Sequence, residues 1–453
     1  MSDILEKSQA RQRLRTLGEA LDSGALQQVA RILNGGLSPS DIAHLLESSP
    51  PRQRAVLWNL VDKDLEGDVL QYLNDDIRSY FLSKLNAQEL AAVIEDFESD
   101  DLADLLQQLP DAVIQEVLDT MDAQDRERVE EVLSYPEDTA GGLMNTDTVT
   151  VRPDISIDVV QRYLRRHRSL PPMTDSLIVV NRKDEYVGVM SLTRMLVSSP
   201  SATVREIMDT DVEPIPVTMP DNRVATLFER YDLISAPVVG DNGKLLGRIT
   251  IDDVVDVIRE DADHSLMSLA GLDEDEDTFA PIFRTSRRRA VWLGVNVVTA
   301  FTSATVIGLF EGTIQKVVAL AVLMPIVASM GGIAGSQTLT LVIRGMALGQ
   351  ISRDNLRWLL NREFLSTILN SLLFSVIVAG VAVAWFGQPT IGLVIGLALI
   401  INLSIASVVG TLLPLFLKKR NIDPALAGGV VLLTVTDVMG FLSFLGLATI
   451  FYG

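Results

Sequence analysis

The chain has 453 residues, of which 48% are hydrophobic and 21% charged, with 59 Asp and Glu against 38 Lys and Arg and a formal net charge of −21. The average conceals two materials: from Arg284 to Gly453 there are 12 basic and 5 acidic residues, so the whole acidic surplus lies upstream. An apolar block of that length has no place on a water-facing surface, which excludes a single-domain soluble enzyme.

Met1 to Gly18 is charged throughout and contains no apolar stretch, so no secretory signal is expected and the acidic part is expected in the cytoplasm. Cysteine is absent and the three histidines, His44, His167 and His264, lie outside the apolar block. Disulfides, thiolate metal sites and histidine chemistry within a membrane are thereby excluded. No glycine-rich loop ending in Gly-Lys-Ser/Thr is present, and the chain is not expected to be an enzyme.

From about Leu14 to Leu133 the apolar residues recur with helical spacing: Ile42, Leu45, Leu46, then Leu57, Leu60, Val61, then Leu102, Leu105, Leu106, Leu109. Short, similar helices between polar turns predict an all-α superhelical domain over residues 1–134, with 27 acidic and 12 basic residues. Most of those acids are expected to be solvated surface. Asp100 and Asp104, however, share a helix face at i and i+4, a like-charge pair that is unfavourable unless a cation binds.

From Tyr135 the texture changes to short strands alternating with helices, and it does so twice. Leu177–Val180, a turn at Asn181–Glu185, Val187–Met190 and a helix from Leu192 are matched by Ala236–Val239, a turn at Asp241–Gly243, Leu246–Ile249 and a helix from Asp252. The copies are expected over residues 135–200 and 201–253, followed by a connecting helix and linker over 254–286. The second acidic patch is Asp252 and Asp253 with Asp256 and Glu260 on the following turns. Read from spacing alone, it too fits a solvated helix face.

The membrane domain is expected over 287–453. Apolar runs of about 20 residues or more give five spans: Ala290–Phe310, Val317–Ile343, Phe364–Phe386, Ile391–Leu417 and Ala425–Tyr452. Arg284 and Arg287–Arg289, then Arg344, Arg353, Arg357 and Arg362, then Lys418–Arg420 fall on one face. The other face carries only Glu311, Lys316 and the uncharged Gln388 and Pro389. The bias of bases toward the cytoplasm places the N-terminus inside and the C-terminus outside.

Asp437 is the one deep ionisable residue in those spans. A carboxylate at the bilayer centre costs about 2.5–3.5 kcal/mol on insertion scales, which points to an ion or proton pathway, the alternative being a protonated Asp bonded to a neighbouring helix. The second span holds Met324-Pro325 and then Gly331-Gly332-Ile333-Ala334-Gly335-Ser336-Gln337-Thr338. Such glycines either let helices approach or let the helix open so that carbonyls face a pore; the adjoining polar residues favour the pore. Met324, Met330, Met346 and Met439 read as packing residues.

The duplicated unit resembles a tandem cystathionine-β-synthase (CBS) pair. That family contacts a nucleotide ribose through Thr or Ser followed three residues later by Asp; Thr250 and Asp253 fit in the second copy, whereas Ser191 is followed by Arg194. The whole chain resembles the MgtE family of Mg²⁺ channels. The motifs are Tyr135-Pro136-Glu137-Asp138-Thr139-Ala140-Gly141, Met330-Gly331-Gly332 with Ala334-Gly335, Asp423-Pro424-Ala425, and Thr436-Asp437-Val438. Three positions depart from the family: Ile333 replaces Asn, Gly142 replaces a common Arg, and Val430 replaces a Pro.

The resemblance implies a homodimer in the cell membrane that carries Mg²⁺ and binds no nucleic acid. Its pore would be lined by the second and fifth helices, including Gly331, Gly332 and Gly335, with Asp437 of each subunit around the ion and Asp423 nearer the cytoplasmic mouth. A helix from about Val254 to the Arg287 cluster would act as gate. Asp100 and Asp104 with Asp252, Asp253, Asp256 and Glu260 would share regulatory Mg²⁺, and ATP is a further expected ligand at Thr250 and Asp253. Mg²⁺ gives up water reluctantly, which suits a pore offering few carboxylates. The alternative is a proton-coupled divalent cation transporter regulated by nucleotide at the CBS pair; an anchored CBS receptor is disfavoured by Asp437 and the glycine motif.

Overall fold

The computed structural model describes residues 25–85, 89–90, 93, 97–107, 109–166, 170–272, 278–352 and 354–452. The chain divides into two compact units, Met1–Ala262 with Asp275–Pro281, and Asp263–Glu274 with Ile282–Gly453. His167, Arg353 and the acidic run from Asp273 to Asp277 lie outside the described residues.

The first unit opens with short helices: α1 (Leu26–Gly36), α2 (Pro39–Glu47), α3 (Pro51–Trp58), α4 (Lys63–Gln71), α5 (Asp75–Leu82), α6 (Ser99–Gln107), α7 (Asp111–Leu118) and α8 (Ala123–Leu133). Their starts are chemically marked. Ser38 accepts the amide of Asp41 ahead of α2, Asn74 accepts that of Ile77 ahead of α5, and proline opens α2 and α3. Their apolar faces share one core of Val29, Leu33, Leu46, Leu70, Phe81 and Leu106, in which Trp58 stacks on Phe81 with centroids 4.3 Å apart.

The duplicated strand–helix unit follows. The first copy comprises β1 (Thr150–Val151), α9 (Ile157–Arg166), β2 (Ser176–Val180), β3 (Tyr186–Ser191), α10 (Leu192–Val197) and α11 (Val204–Ile207). The second comprises β4 (Ile215–Pro216), α12 (Asp221–Tyr231), β5 (Ser235–Val239), β6 (Leu245–Thr250) and α13 (Ile251–Leu269). Both sheets run in sequence order, a parallel pair followed by an antiparallel hairpin, and both have a register shift at the same place, Val179/Val180 and Val238/Val239. The two-residue strands β1 and β4 were not foreseen, since they are too short to show alternation.

The copies exchange their leading segments. The amides of Ala140 and Gly141 donate to Met219 and Val217 of the second copy at 2.7 and 2.9 Å, whereas Val204 and Met208 pack in the core of the first. The Tyr135 motif, expected to enter the first copy, thus braces the second. Ala103 of α6 and Val132 of α8 complete the core beneath Val254 and Val257 of α13, joining the helical domain to the second copy.

The connecting helix differs from expectation. α13 starts at Ile251 and stops at Leu269, and among the described residues the next helix starts at Ile282. Gly271, at φ 70°, ends it, with the amide of Leu272 bonded to the Met267 carbonyl at 2.9 Å. The left-handed stop and the following Pro281 preclude one continuous rod to the Arg287 cluster.

The second unit contains α14 (Ile282–Gly308), α15 (Glu311–Lys316), α16 (Ala319–Ala347), α17 (Leu356–Phe386), α18 (Pro389–Lys419) and α19 (Pro424–Tyr452). Five of these are long and apolar enough to cross a membrane: Thr285–Gly308 within α14, and α16 to α19. The first and third start earlier than hydropathy alone placed them, because a helix continues through arginines that an apolar count stops at. α18 is the central helix and is buried along most of its length. α14 exposes Val291, Leu293, Val298 and Phe301, as a lipid-facing helix does.

Candidate ion pathway and acidic seam

Asp437 lies midway along α19, half-buried, on a turn whose neighbour Thr436 is fully buried. Its carboxylate makes no hydrogen bond or ion pair with another described residue.

The glycines of α16 face protein. A Cβ on Gly331 would overlap the Asn402 amide of α18, and those on Gly332 and Gly335 would come 3.0 Å from Leu433 and Leu432 of α19. α16 itself is an unbroken helix from Ala319 to Ala347, so no opened turn presents carbonyls to a pore. Within the protomer, Gly331, Gly332 and Gly335 act as spacers that seat α16 against α18 and α19. Ile333 projects outward and is 56% exposed.

Sequence reasoning missed Asn402. It is fully buried on α18, donates its Nδ2 to the Val327 carbonyl of α16 at 2.9 Å, and would lie 2.8 Å from a Cβ on Gly440 of α19. Its Oδ1 is buried without a partner. A polar residue inside the fourth apolar run was the available signal.

Asp423 sits at the start of α19 as its N-cap. Oδ1 accepts the amide of Ala425 at 2.9 Å and Oδ2 that of Leu426 at 3.1 Å. His264 approaches the same Oδ2 at 3.2 Å. The helix that carries Asp252, Asp253, Asp256 and Glu260 near its start therefore ends, inside the second unit, against the residue expected at the pore mouth.

In the first unit the acids of α6 meet those of α13. Burial holds the Asp100 carboxyl well above the usual range, with Asp253, Asp101 and Glu98 adding to the rise. Asp100 is 6% exposed and its Oδ1 has no partner. Burial raises Asp253 to about 7, with Asp252 next to it and Thr250 opposing through hydrogen bonds. Asp104 is pushed by burial, then by Glu137, to about 8, and Glu260 by burial, then by Asp75 and Asp256, to about 7. Asp252 and Asp256 are exposed on the rim, Asp256 lying 3.7 Å from Arg259.

The seam is wider than the sequence showed. Glu98 accepts from the Asn145 amide, Asp101 from Gln71 at 3.1 Å, and Arg78 pairs with Asp75 at 2.8 Å while lowering Asp101 and Asp104. Glu137 was visible only as part of the Tyr135 motif, and Asp75 and Arg78 belong to a helix that is distant in sequence. Thr250 Oγ1 donates to Asp253 at 2.9 Å and also to Asp252, so the expected ribose-binding pair is bonded to itself. Among the described residues no three acidic or histidine side chains are grouped to hold a metal ion directly. The donor set is nonetheless all carboxylate oxygen, with a buried unpartnered acceptor at Asp100, and fits a hard cation that keeps its water.

A CBS pair and a helical acidic domain joined in one chain to five apolar helices define an integral membrane protein with a large soluble unit. The profile of the MgtE-type divalent cation transporter matches residues 324–447, that of the MgtE intracellular N domain matches 37–138, and that of the CBS domain matches 140–199 and 204–260. A relative from Thermus thermophilus, named magnesium transporter MgtE, is 30% identical over 438 residues, 96% of this chain and 97% of its own. Another of that name from Bacillus subtilis is 29% identical over 415 residues, 92% of each chain. A solved structure of the cytosolic domain of the Mg²⁺ channel MgtE in complex with ATP is 33% identical with a TM-score of 0.49, covering 54% of this chain and 99% of that one. The chain belongs to the MgtE family.

Proposed function

We propose that the protein is a homodimeric Mg²⁺ channel of the cell membrane, closed by cytosolic Mg²⁺ at the acidic seam. The observation that carries the gating is Asp100: a carboxylate 6% exposed, with one oxygen unpartnered, packed within electrostatic reach of Asp253. Such a contact is stable only when protons or cations neutralise it. Hydrated Mg²⁺ supplies two positive charges and bridges carboxylates through its water. Transport is supported by family membership and by the unpartnered Asp437. In a dimer two such residues face one axis, and facing carboxylates attract a divalent ion more strongly than a monovalent one.

The membrane potential suffices as driving force, since about 100 mV acting on two charges is worth about 4.6 kcal/mol, more than three decades of accumulation. An open pore would then overfill the cell, which is why the sensor is needed. α13 joins the two functions by covalent continuity, bearing seam acids at one end and His264 at the other. ATP belongs to the proposal as a ligand of the second CBS copy, where ionised Asp253 would accept from the ribose hydroxyls in place of Thr250.

The test is flux into liposomes under a K⁺ diffusion potential, with Mg²⁺ varied on the side of the soluble unit. Uptake driven by potential alone and inhibited by that Mg²⁺ is the expected result. An absolute requirement for a proton gradient would overturn the channel, and inhibition-free flux would overturn the sensor.

A further inference from the structure

On the basic face of the second unit, the connection between α16 and α17 is a built structure. α16 stops at Gly349, φ 63°, with the Gly349 amide bonded to Met346 at 3.2 Å and the Gln350 amide to Gly345 at 2.9 Å, a Schellman arrangement. Ile351 folds back over Gly345, where a Cβ would lie 2.9 Å from its Cδ1. Asn355 ties the next turn, donating Nδ2 to the Gln350 carbonyl at 2.6 Å and accepting the Ser352 amide at 2.9 Å.

This fold frames an open pocket of about 320 Å³ whose lining combines Arg344 and Arg362, the polar Gln350 and Asn355, and apolar Leu348 and Leu359. Trp358 also lines it and is 67% exposed, with the Arg362 guanidinium 6.0 Å from its ring centroid. Residues 344–362 contain four arginines and one aspartate. Arg362 touches Glu363 at 3.3 Å, but Arg344 makes no ion pair among the described residues. The first turn of α17 contributes to the lining, so the positive end of a 31-residue helix lies at the pocket.

We propose that this pocket seats the phosphate of an anionic phospholipid headgroup. Guanidinium forks suit phosphate, and basic pockets between helix ends on the cytoplasmic face suit lipid headgroups. An exposed tryptophan belongs at the membrane–water interface. The apolar walls continue into the spans α16 and α17, where they receive the glycerol and the roots of the acyl chains. A soluble phosphate ester would leave those walls unused.

The experiment measures phosphatidylglycerol retained by the full-length protein after reconstitution in mixed phosphatidylcholine–phosphatidylglycerol nanodiscs and detergent extraction. Each basic residue in contact with the headgroup is worth about five-fold in affinity, so Arg344→Gln with Arg362→Gln should lower retention by at least about ten-fold. Lys418→Gln with Lys419→Gln, the same charge removed from the same face outside the pocket, should retain the lipid like wild type. Equal loss in both pairs, or no loss in the arginine pair, overturns the site. Inorganic phosphate is the second arm: thermal protection by phosphate in pure phosphatidylcholine, lost in the arginine pair and without phosphatidylglycerol retention in wild type, overturns the lipid and leaves a soluble anion. If the arginine pair does not fold, Trp358→Ser decides, a several-fold loss supporting the site and wild-type retention overturning it.

Discussion

The side-chain amide of Asn402 on α18 donates to the main-chain carbonyl of Val327 on α16 at 2.9 Å, and the space it occupies exists because position 331 has no side chain. Gly440 of α19 leaves the same room on the third side. One buried polar residue therefore sets the separation of α16 and α19, the two helices that the resemblance makes the pore walls. In a membrane, where apolar burial does not drive helices together, close approach and interhelical hydrogen bonds do.

Gly331→Ala should push α16 away from α18, lower the melting temperature in detergent and reduce flux, since overpacking costs about 1–3 kcal/mol. Asn402→Ala loses a hydrogen bond worth about 0.6 kcal/mol on average in bilayer proteins. The double variant should be better than the sum of the two, because removing Asn402 makes room for the new methyl. Strict additivity in that double-mutant cycle would show that the two residues do not share the site.

Asp437→Ala should abolish or strongly reduce Mg²⁺ flux while the protein remains a folded dimer, and Asp437→Asn should be nearly as damaging because shape is kept and charge lost. Flux assays with size-exclusion profiles check both halves of the claim. Wild-type flux in either variant rules the residue out of the pathway.

The five spans, the duplicated strand units and the stacked helices were legible because each has a period long enough to read: an unbroken apolar run, an alternation, or a 3.6-residue repeat. β1 and β4 are two residues each and have no period. The end of α13 depended on Gly271 taking a left-handed φ, which the residue type permits but does not require. At the seam, Asp100 and Asp104 were visible because they are neighbours on one helix, whereas Asp75, Arg78, Glu98 and Glu137 join it through tertiary contacts. Asn402 was hidden for the opposite reason, a lone amide in an apolar run whose partner is a backbone atom. Gly142 is explained only by the fold: a Cβ there would stand 2.7 Å from the Glu137 carbonyl, so an arginine at this position needs a different turn.

Neutralising Asp100, Asp104, Asp253 and Asp256 to the amides relieves repulsion and also removes the ligands by which Mg²⁺ favours the closed state. The second effect should dominate the response, since a cation shifts a conformational equilibrium only through its differential affinity for the two forms. The variant should remain open at Mg²⁺ concentrations that shut the wild type, read as single-channel open probability. Wild-type closure in the variant would mark these acids as ordinary surface.

Proton concentration should act on the seam in a defined direction. Asp104 at about 8, and Asp253 and Glu260 at about 7, are raised by burial from ordinary carboxylate values near 4. A group whose pKa is raised in the packed state favours that packing while protonated and loses the contribution as pH rises through the packed-state value. Without Mg²⁺, the contact between α6 and α13 should therefore be tightest below about pH 4 and loosen progressively up to about pH 8. Mg²⁺ should restore it on the alkaline side, where the carboxylates are ionised and free to take a cation, and should add little on the acid side. Hydrogen exchange of the α6 amides in the full-length protein, measured across that range with and without Mg²⁺, gives the readout. Protection that rises with pH in the absence of Mg²⁺ would reverse the sign and remove burial of these carboxyls as the basis of the sensor.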